Sequence, residues 1–472
     1  MAQNWQFRAF VDSLHPGFAM RLTPELLHKY DVAGPRYTSY PTALQFNQAV
    51  DSHHYERLLN QLADDPEPVS LYLHMPFCEE RCTYCACNVT PSPLKDRVSP
   101  PYVERLAREI SLVADAIGTR HKVSQMHFGG GTPTYHSPAE LQRLIKRIEV
   151  LFEVLPDAER SIEVDPRVTT VEHIRTLAAL GFKRLSMGVQ DLNIDVQRAI
   201  GRIQSAEVTR GCIEAARAAG FDSINIDLVY GLPLQTAESF GATLDEIIEL
   251  RPERVAAYGF AFMPDAFKHQ RELLTYEMPD QVARYELLAL ANDRFTQAGY
   301  VAIGLDHFAL PTDELAVARD DGRLHRNFMG YTVQENRRMI GLGVSSIGYV
   351  GDTFAQNHKK LADYNAAIDR DEFPVERGCR LSEDDLRRAW VIGEMMCNFT
   401  VHASEFEARF GDSLEEYFAE SFKRLSDRGE GLWTCEDGVL RATPVGELFV
   451  RNIAMCFDDY FDPTRTYGSR TI

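Results

Sequence analysis

The sequence contains no run of 18 or more apolar residues, so it offers no candidate for a membrane-spanning helix. Its first residues, MAQNWQFRAFVDSLHPGF, lack the basic, apolar and small-residue regions of a secretory signal. A cytoplasmic location without membrane contact is therefore expected. Basic excess is missing as well: 50 Lys and Arg stand against 69 Asp and Glu, a formal net charge of −19. A field of that sign repels nucleic acid and anionic lipid, so no nucleic-acid partner is expected and an anionic substrate must be met by a local basic pocket. Glycine and proline, 30 and 23 of 472 residues, are too few for a fibrous or low-complexity chain. An even set of regularly spaced cysteines is absent too. There are nine, and four of them (Cys78, Cys82, Cys85, Cys87) fall within ten positions, which points to a reduced compartment and a clustered metal site rather than a disulfide framework.

What is present is length and alternation. A chain of 472 residues has room for two or three domains, one of which can be a barrel. Between about residues 69 and 310, short β-rich runs (VSLYLHMPF, VSQMHFGGG, RSIEVDP, RLSMGVQ, SINIDLVYGLP, RVAAYGFAF, YVAIGLDHF) alternate with amphipathic stretches such as AELQRLIKRIEVLF and AESFGATLDEIIEL. Six or seven such units predict an α/β fold, a partial (β/α) TIM-like barrel, better than a Rossmann sheet. Gly181, Gly220 and Gly299 follow helical stretches, where a left-handed residue is expected. Polar and glycine residues gather at the strand carboxyl ends, the face on which barrels carry their chemistry.

The flanks differ. Residues 1–60 lack the βα pattern and carry GPRYTSYPT; they read as an arm packed over the active site. Residues 61–375 form the expected barrel, and residues 376–472 a mostly helical, winged-helix-like domain in which Asp437-Gly438 turns a hairpin. Residues 381–457 hold 15 acidic against 8 basic side chains, the wrong balance for a DNA reader.

Cys78-x3-Cys82-x2-Cys85 follows the first strand. Three thiolates on one short loop can hold three corners of an iron–sulfur cubane and leave one iron open. A zinc site is the alternative, but structural zinc closes four-coordinate, typically with a second ligand pair, and no second CxxC or HxxxH pair is present. Cys87, only two residues beyond Cys85, is not expected as a ligand. HFGGGTP, His127 to Pro133, closes the second strand, and its glycines let backbone groups approach a ligand closely.

The Cys-x3-Cys-x-aromatic-Cys loop on the first strand, with Tyr84 as the aromatic residue, resembles the radical S-adenosylmethionine (SAM) superfamily. PRYTSYPTALQF, YLHMPFCEERCTYCACN, HFGGGTPTY, SIEVDPR, RLSMGVQD, NIDLVYGLP, GLDHFAL, LHRNFMGYT and GLGVSSIG extend the resemblance to the bacterial oxygen-independent coproporphyrinogen III oxidases, from about residue 30 to 460. It implies a radical SAM barrel and an oxidoreductase that decarboxylates two propionates of coproporphyrinogen III to vinyls, giving protoporphyrinogen IX by means of a 5′-deoxyadenosyl radical. The implied cofactors are a [4Fe-4S] cluster on Cys78, Cys82 and Cys85 and two SAM molecules. Tyr72, Gly130, Glu163 and Ile347 match contacts to the cluster-bound SAM, and Gly131, Thr132, Gln190, Arg202, Asp227 and Ala261 match contacts to the second. Tyr84 is placed beside the cofactors, and Tyr72, Cys87 and Glu163 form the implied catalytic set. An unidentified electron donor and acceptor are required, and a monomer is expected. Other readings are a haem-binding chaperone of the same family, a radical SAM enzyme acting on another porphyrin or haem, and a structural zinc protein.

Two positions depart from the family pattern: Phe262 stands where His is usual, and Val333 where a second Thr is usual. Arg36, Arg326, Arg337 and Arg338 are candidates for meeting the four propionates of the substrate.

Overall fold

The computed structural model describes residues 24–335, 338–464 and 469–471. Its centre is a 12-stranded sheet. The first six strands, β1 (Val69–Met75), β2 (Lys122–Gly130), β3 (Glu153–Val164), β4 (Arg184–Gln190), β5 (Ser223–Tyr230) and β6 (Arg254–Gly259), lie side by side in chain order. Every neighbouring pair among them is parallel. Each is followed by at least one helix: α1 (Lys95–Ile117), α2 (Pro138–Leu151), α3 (Val171–Ala179), α4 (Ala206–Ala219), α5 (Ala237–Leu250) and α6 (Gln281–Gln297) are the long ones. This is the partial barrel that the alternating pattern predicts. Strands covered on both faces read as near-continuous apolar runs, and β1 is buried at six of its seven positions.

Local chemistry fixes the helix ends. Ser137 and Glu140 close a capping box on α2, and Thr170 with His173 does the same on α3; each such cap contributes about 1 kcal/mol. Gly181, Gly220 and Gly299 all have positive φ, at 82°, 90° and 83°, as expected.

The seventh unit differs from the expected one. YVAIGLDHF is not a further parallel strand but a tight hairpin of β7 (Val301–Gly304) and β8 (His307–Ala309), with β8 antiparallel to β6. The turn at Leu305-Asp306 breaks the apolar run, and Leu305 takes φ 44°, a geometry no continuous strand contains. On the other side β9 (Arg338–Leu342) joins parallel to β1 and leads into the antiparallel strands β10 (Ile347–Val350), β11 (Thr353–Asn357) and β12 (Val375–Arg380).

The carboxyl-terminal region packs helices around a three-stranded sheet whose hairpin, Trp433–Glu436 with Val439–Ala442, turns at Asp437 (φ 51°) and Gly438 (φ 73°). Two successive positive-φ residues are what a two-residue hairpin turn demands. The described part of the arm ties both ends of the chain together: Ala33–Gly34 pairs with Ser469–Arg470, Tyr37 donates to Asp458 at 2.9 Å, and Arg36 meets Asp306 at the β7–β8 turn. Among the described residues no helix is long and apolar enough to cross a membrane.

Candidate active site

The cysteine loop leaves β1 at Pro76 and is pinned from below. Thr90 N–H donates to the Pro76 carbonyl at 2.7 Å, Ser92 N–H to the Cys78 carbonyl at 2.8 Å, and Thr83 N–H to the Ile200 carbonyl at 3.0 Å. Cys78, Cys82, Cys85 and Cys87 consequently line one cavity together with Tyr84, and all nine cysteines are free thiols. Gly130, Gly131, Thr132, Glu163, Gln190, Arg202 and Asp227 line the same cavity. Three of the expected residues do not. Tyr72 lies behind it, stacked on His127 at 5.9 Å with its hydroxyl 3.1 Å from His74 Nδ1. Ala261 is joined to the loop through Gln270, whose Nε2 donates to the carbonyls of both Tyr84 and Ala261. Ile347 opens β10, beyond β9.

The glycine run is a cradle. A Cβ on Gly130, whose φ is 111°, would lie 2.5 Å from the His74 ring, and one on Gly131 would lie 2.7 Å from the Pro76 carbonyl oxygen. Their N–H groups are already committed: Gly130 donates to Glu163 Oε2, Gly131 to the Met75 carbonyl and Thr132 to the Phe77 carbonyl, each at 2.8 Å. A ligand's ammonium, which only donates, would need carbonyl oxygens here as its acceptors. Gln190 takes φ 70° after a register shift against β5, a bulge of the kind that re-aims a side chain at a strand end.

Electrostatics divide the carboxyls. Burial alone would raise the Glu163 carboxyl, but the His127 imidazole and the Gly130 N–H outweigh it and hold Glu163 below its ordinary range. Asp227 goes the other way: burial, then the charge of Glu163, push it up to about 7 against bonds from Asn225 and Ser186. Adjacent carboxyls whose environments drive them apart in this way take different protonation states. Asp165 is held low despite burial by Arg202 and Arg167. In the loop, Cys85 is lowered to about 7, first by a hydrogen bond from Cys87, whose own thiol is raised well above its usual value.

Arg202 is anchored within the protein. Its guanidinium does not point a free fork at a ligand carboxylate: Nη1 donates to Asp165 Oδ2 at 2.9 Å, and Nη2 to the Gly188 carbonyl at 2.7 Å and Gln204 Oε1 at 2.9 Å. A guanidinium this deeply buried needs a fixed counter-charge, and Asp165 supplies it. Arg202 Nη1 and Arg167 Nη2 also stand 3.9 and 3.8 Å from Cys82 Sγ.

The donor set fits a cubane. Four thiols line one chamber, two guanidiniums face the sulfur of Cys82, and among the described residues no three His, Cys, Asp or Glu side chains gather as a single-ion site requires. A cubane takes each thiolate at a different iron.

His127 has a place in the site that its motif does not announce. Its Nδ1 lies 2.7 Å from Ser161 Oγ and its Nε2 3.4 Å from Glu163 Oε1, so it spans β2 and β3 beneath the cavity. The available signal was a histidine inside the otherwise apolar end of β2. Of the candidate arginines, Arg338 is ion-paired with Asp65 and is excluded from the site, and Arg337 lies outside the described residues. Phe262 packs on Phe260 at 5.8 Å in an apolar cluster that also takes in Tyr84, and Val333 packs beside Tyr331 and Ile303; apolar side chains suit both places. Of the scattered cysteines, Cys212, Cys379, Cys397 and Cys456 are buried, while Cys435 is exposed on the hairpin.

A second cavity, lined by alternate residues of β2 to β5 such as His127, Ser161, Ser186 and Asn225, runs down the barrel interior. It shares Glu163, Ser186 and Asp227 with the cysteine-lined chamber, so the two are adjacent and meet at these three side chains.

The family model of the radical SAM superfamily matches residues 72–247, and that of the HemN C-terminal domain matches residues 381–449. The oxygen-independent coproporphyrinogen III oxidase of Escherichia coli K12 is 43% identical over 437 residues, covering 92% of this chain and 94% of that protein. The chain belongs to the oxygen-independent coproporphyrinogen III oxidase family. The enzyme of that name from Pseudomonas aeruginosa is 40% identical over 444 residues, covering 93% of this chain and 96% of the relative. A solved structure of coproporphyrinogen III oxidase (HemN) from Escherichia coli, described as a radical SAM enzyme, superposes with a TM-score of 0.87 at 42% identity and covers 90% of this chain and 98% of its own. Membership of this family implies a [4Fe-4S] cluster and SAM.

Proposed function

We propose that this chain performs the anaerobic oxidative decarboxylation of two propionates of coproporphyrinogen III, yielding protoporphyrinogen IX in haem biosynthesis. The observation that supports this reading is the adjacency of the two cavities, which share Glu163, Ser186 and Asp227 and would set a substrate in the barrel beside cofactors held in the cysteine-lined chamber. When bound, the cluster and SAM supply the hydrogen-abstracting radical that side chains alone cannot generate.

The chain's own residues hold and shield. Cys78, Cys82 and Cys85 would ligate the cluster, with Arg167 and Arg202 donating toward Cys82. Tyr72, Gly130, Glu163 and Ile347 would contact the cluster-bound SAM. Gly131, Thr132, Gln190, Arg202, Asp227 and Ala261 would contact a second SAM, with Tyr84 flanking the cofactors. The low Glu163 carboxylate accepts hydrogen bonds only, whereas Asp227, raised to about 7, can donate one in its protonated form. Cys87, whose thiol hydrogen-bonds to Cys85 rather than standing as an independent ligand, is assigned to catalysis. The division into an arm (1–60) over the site, a barrel (61–375) and a helical domain (376–472), a monomeric state and a cytoplasmic location complete the reading, with an electron donor and acceptor still to be identified.

The test is an anaerobic assay of the reconstituted protein with SAM, a reductant and coproporphyrinogen III. Protoporphyrinogen with about one 5′-deoxyadenosine per vinyl formed supports the reading. SAM cleavage with the porphyrinogen returned unchanged overturns it.

A further inference from the structure

The wall of the barrel cavity at β6, β8 and the hairpin His325–Asn327/Gly330–Thr332 is aromatic: Tyr258, His307 and Tyr331 line it. The His307 ring meets both neighbours edge-on, Tyr258 at 5.5 Å and Tyr331 at 5.0 Å. Two guanidiniums lie against the rings of this wall, Arg36 over Tyr258 at 5.7 Å and Arg326 over Tyr331 at 5.3 Å, and Arg36 lines a separate small cavity with Asp306 and Arg451. The Arg326 side chain is tied to the arm through Nη1, which donates to the Arg36 backbone carbonyl at 3.1 Å.

Their charges do not balance locally. Arg36 pairs with Asp306 at 2.5 Å, but Asp306 also accepts from His307 Nδ1 at 2.8 Å, and Arg326 has no carboxylate partner among the described residues. Arg326 Nε is buried without any acceptor, a cost of about 1–3 kcal/mol unless a ligand supplies one. The excess is felt beyond the pair: buried Arg451 is lowered to about 9, by burial first and then by the charges of Arg36 and Arg326. A site with two fixed guanidiniums, one carboxylate and an unused buried donor is short of one anion.

We infer that Arg36 and Arg326 clamp a carboxylate of the tetrapyrrole, and that it belongs to a propionate retained in the product. This rests on the proposed substrate. The choice of a retained propionate follows from the chemistry: loss of CO2 drains negative charge from the carboxyl group, and a guanidinium pair stabilises the charged ground state against that loss. The reacting propionates lie better where the cavities join, away from fixed positive charge.

The experiment uses Arg326→Gln and Arg326→Lys in the reconstituted enzyme. Arg326→Gln is expected to raise the KM for coproporphyrinogen III roughly 10- to 100-fold, with the KM for SAM unchanged, and Arg326→Lys to recover part of the loss. Protoporphyrin IX keeps only the retained propionates, and its inhibition constant against the enzyme should weaken by the same factor. An unchanged inhibition constant beside a raised KM overturns the assignment to a retained propionate, and an unchanged KM overturns the clamp. If wild-type enzyme does not convert coproporphyrinogen III at all, the substrate reading fails instead. A Tm for Arg326→Gln within about 2 °C of wild type, expected where one hydrogen bond is lost together with a buried donor that had no acceptor, separates binding from folding.

Discussion

Replacing Asp165 by alanine probes the electrostatic floor of the cysteine-lined chamber. Its carboxylate takes Arg202 Nη1 at 2.9 Å, Arg167 Nη2 at 2.7 Å and the Arg167 backbone N–H at 3.0 Å. The Arg202 side chain is 6% exposed and that of Arg167 23%. Asp165→Ala leaves Arg202 charged, buried and without its counter-ion, which costs about 3–5 kcal/mol. Arg202→Met is milder, because Asp165 keeps Arg167, and should cost about 1–2 kcal/mol. The double variant removes both deep charges and should recover at least about 2 kcal/mol of the sum of the single losses, since neighbours sharing one network are not additive. Urea denaturation under anaerobic conditions measures all three. The pH dependence has a definite sign: the folded Asp165 carboxyl is held below its ordinary value, so its contribution is present above about pH 4 and is lost as the pH falls further. Additive single losses, or an Asp165→Ala loss below about 1 kcal/mol, would refute this account of Arg202.

Cys78→Ser, Cys82→Ser and Cys85→Ser should each abolish the visible absorbance of the reconstituted cluster and turnover with it, while Cys87→Ser keeps the cluster; a cluster-free Cys87→Ser protein would make Cys87 a ligand. Gly130→Ala places a methyl 2.5 Å from the His74 ring at a φ of 111°, and should destabilise the protein by about 1–3 kcal/mol and raise the KM for SAM, read by melting and steady-state kinetics. Asp227, raised to about 7, favours folding most below about pH 4 and loses that contribution as the pH rises through 7, so Asp227→Asn should flatten the stability profile of the apoprotein between those limits; an unchanged slope contradicts a protonated Asp227. Arg338→Ala, breaking the ion pair with Asp65, should leave the KM for the porphyrinogen unaltered.

The barrel was legible because its evidence is local. Each βα unit carries its own periodicity, caps and terminal glycine, and β1 to β6 assemble in chain order, so no long-range choice had to be guessed. YVAIGLDHF misled for the same reason: its composition is that of a strand, and only the turn at Asp306 and the pairing of β8 with β6 make it a hairpin.

The clustering of the cysteine thiols was likewise legible from sequence, since one short loop after one strand brings them together, and the glycine run marked a place where the backbone must pass closely. Tertiary structure decided everything that depends on which charges meet. Whether Arg202 is free or held by Asp165, whether Arg338 faces the cavity or pairs with Asp65, and which carboxyl of Glu163 and Asp227 carries the proton are set by contacts between residues tens to hundreds of positions apart. Periodicity reports which face of an element is buried; it carries no information about the partner across the interface, and electrostatics depend on that partner.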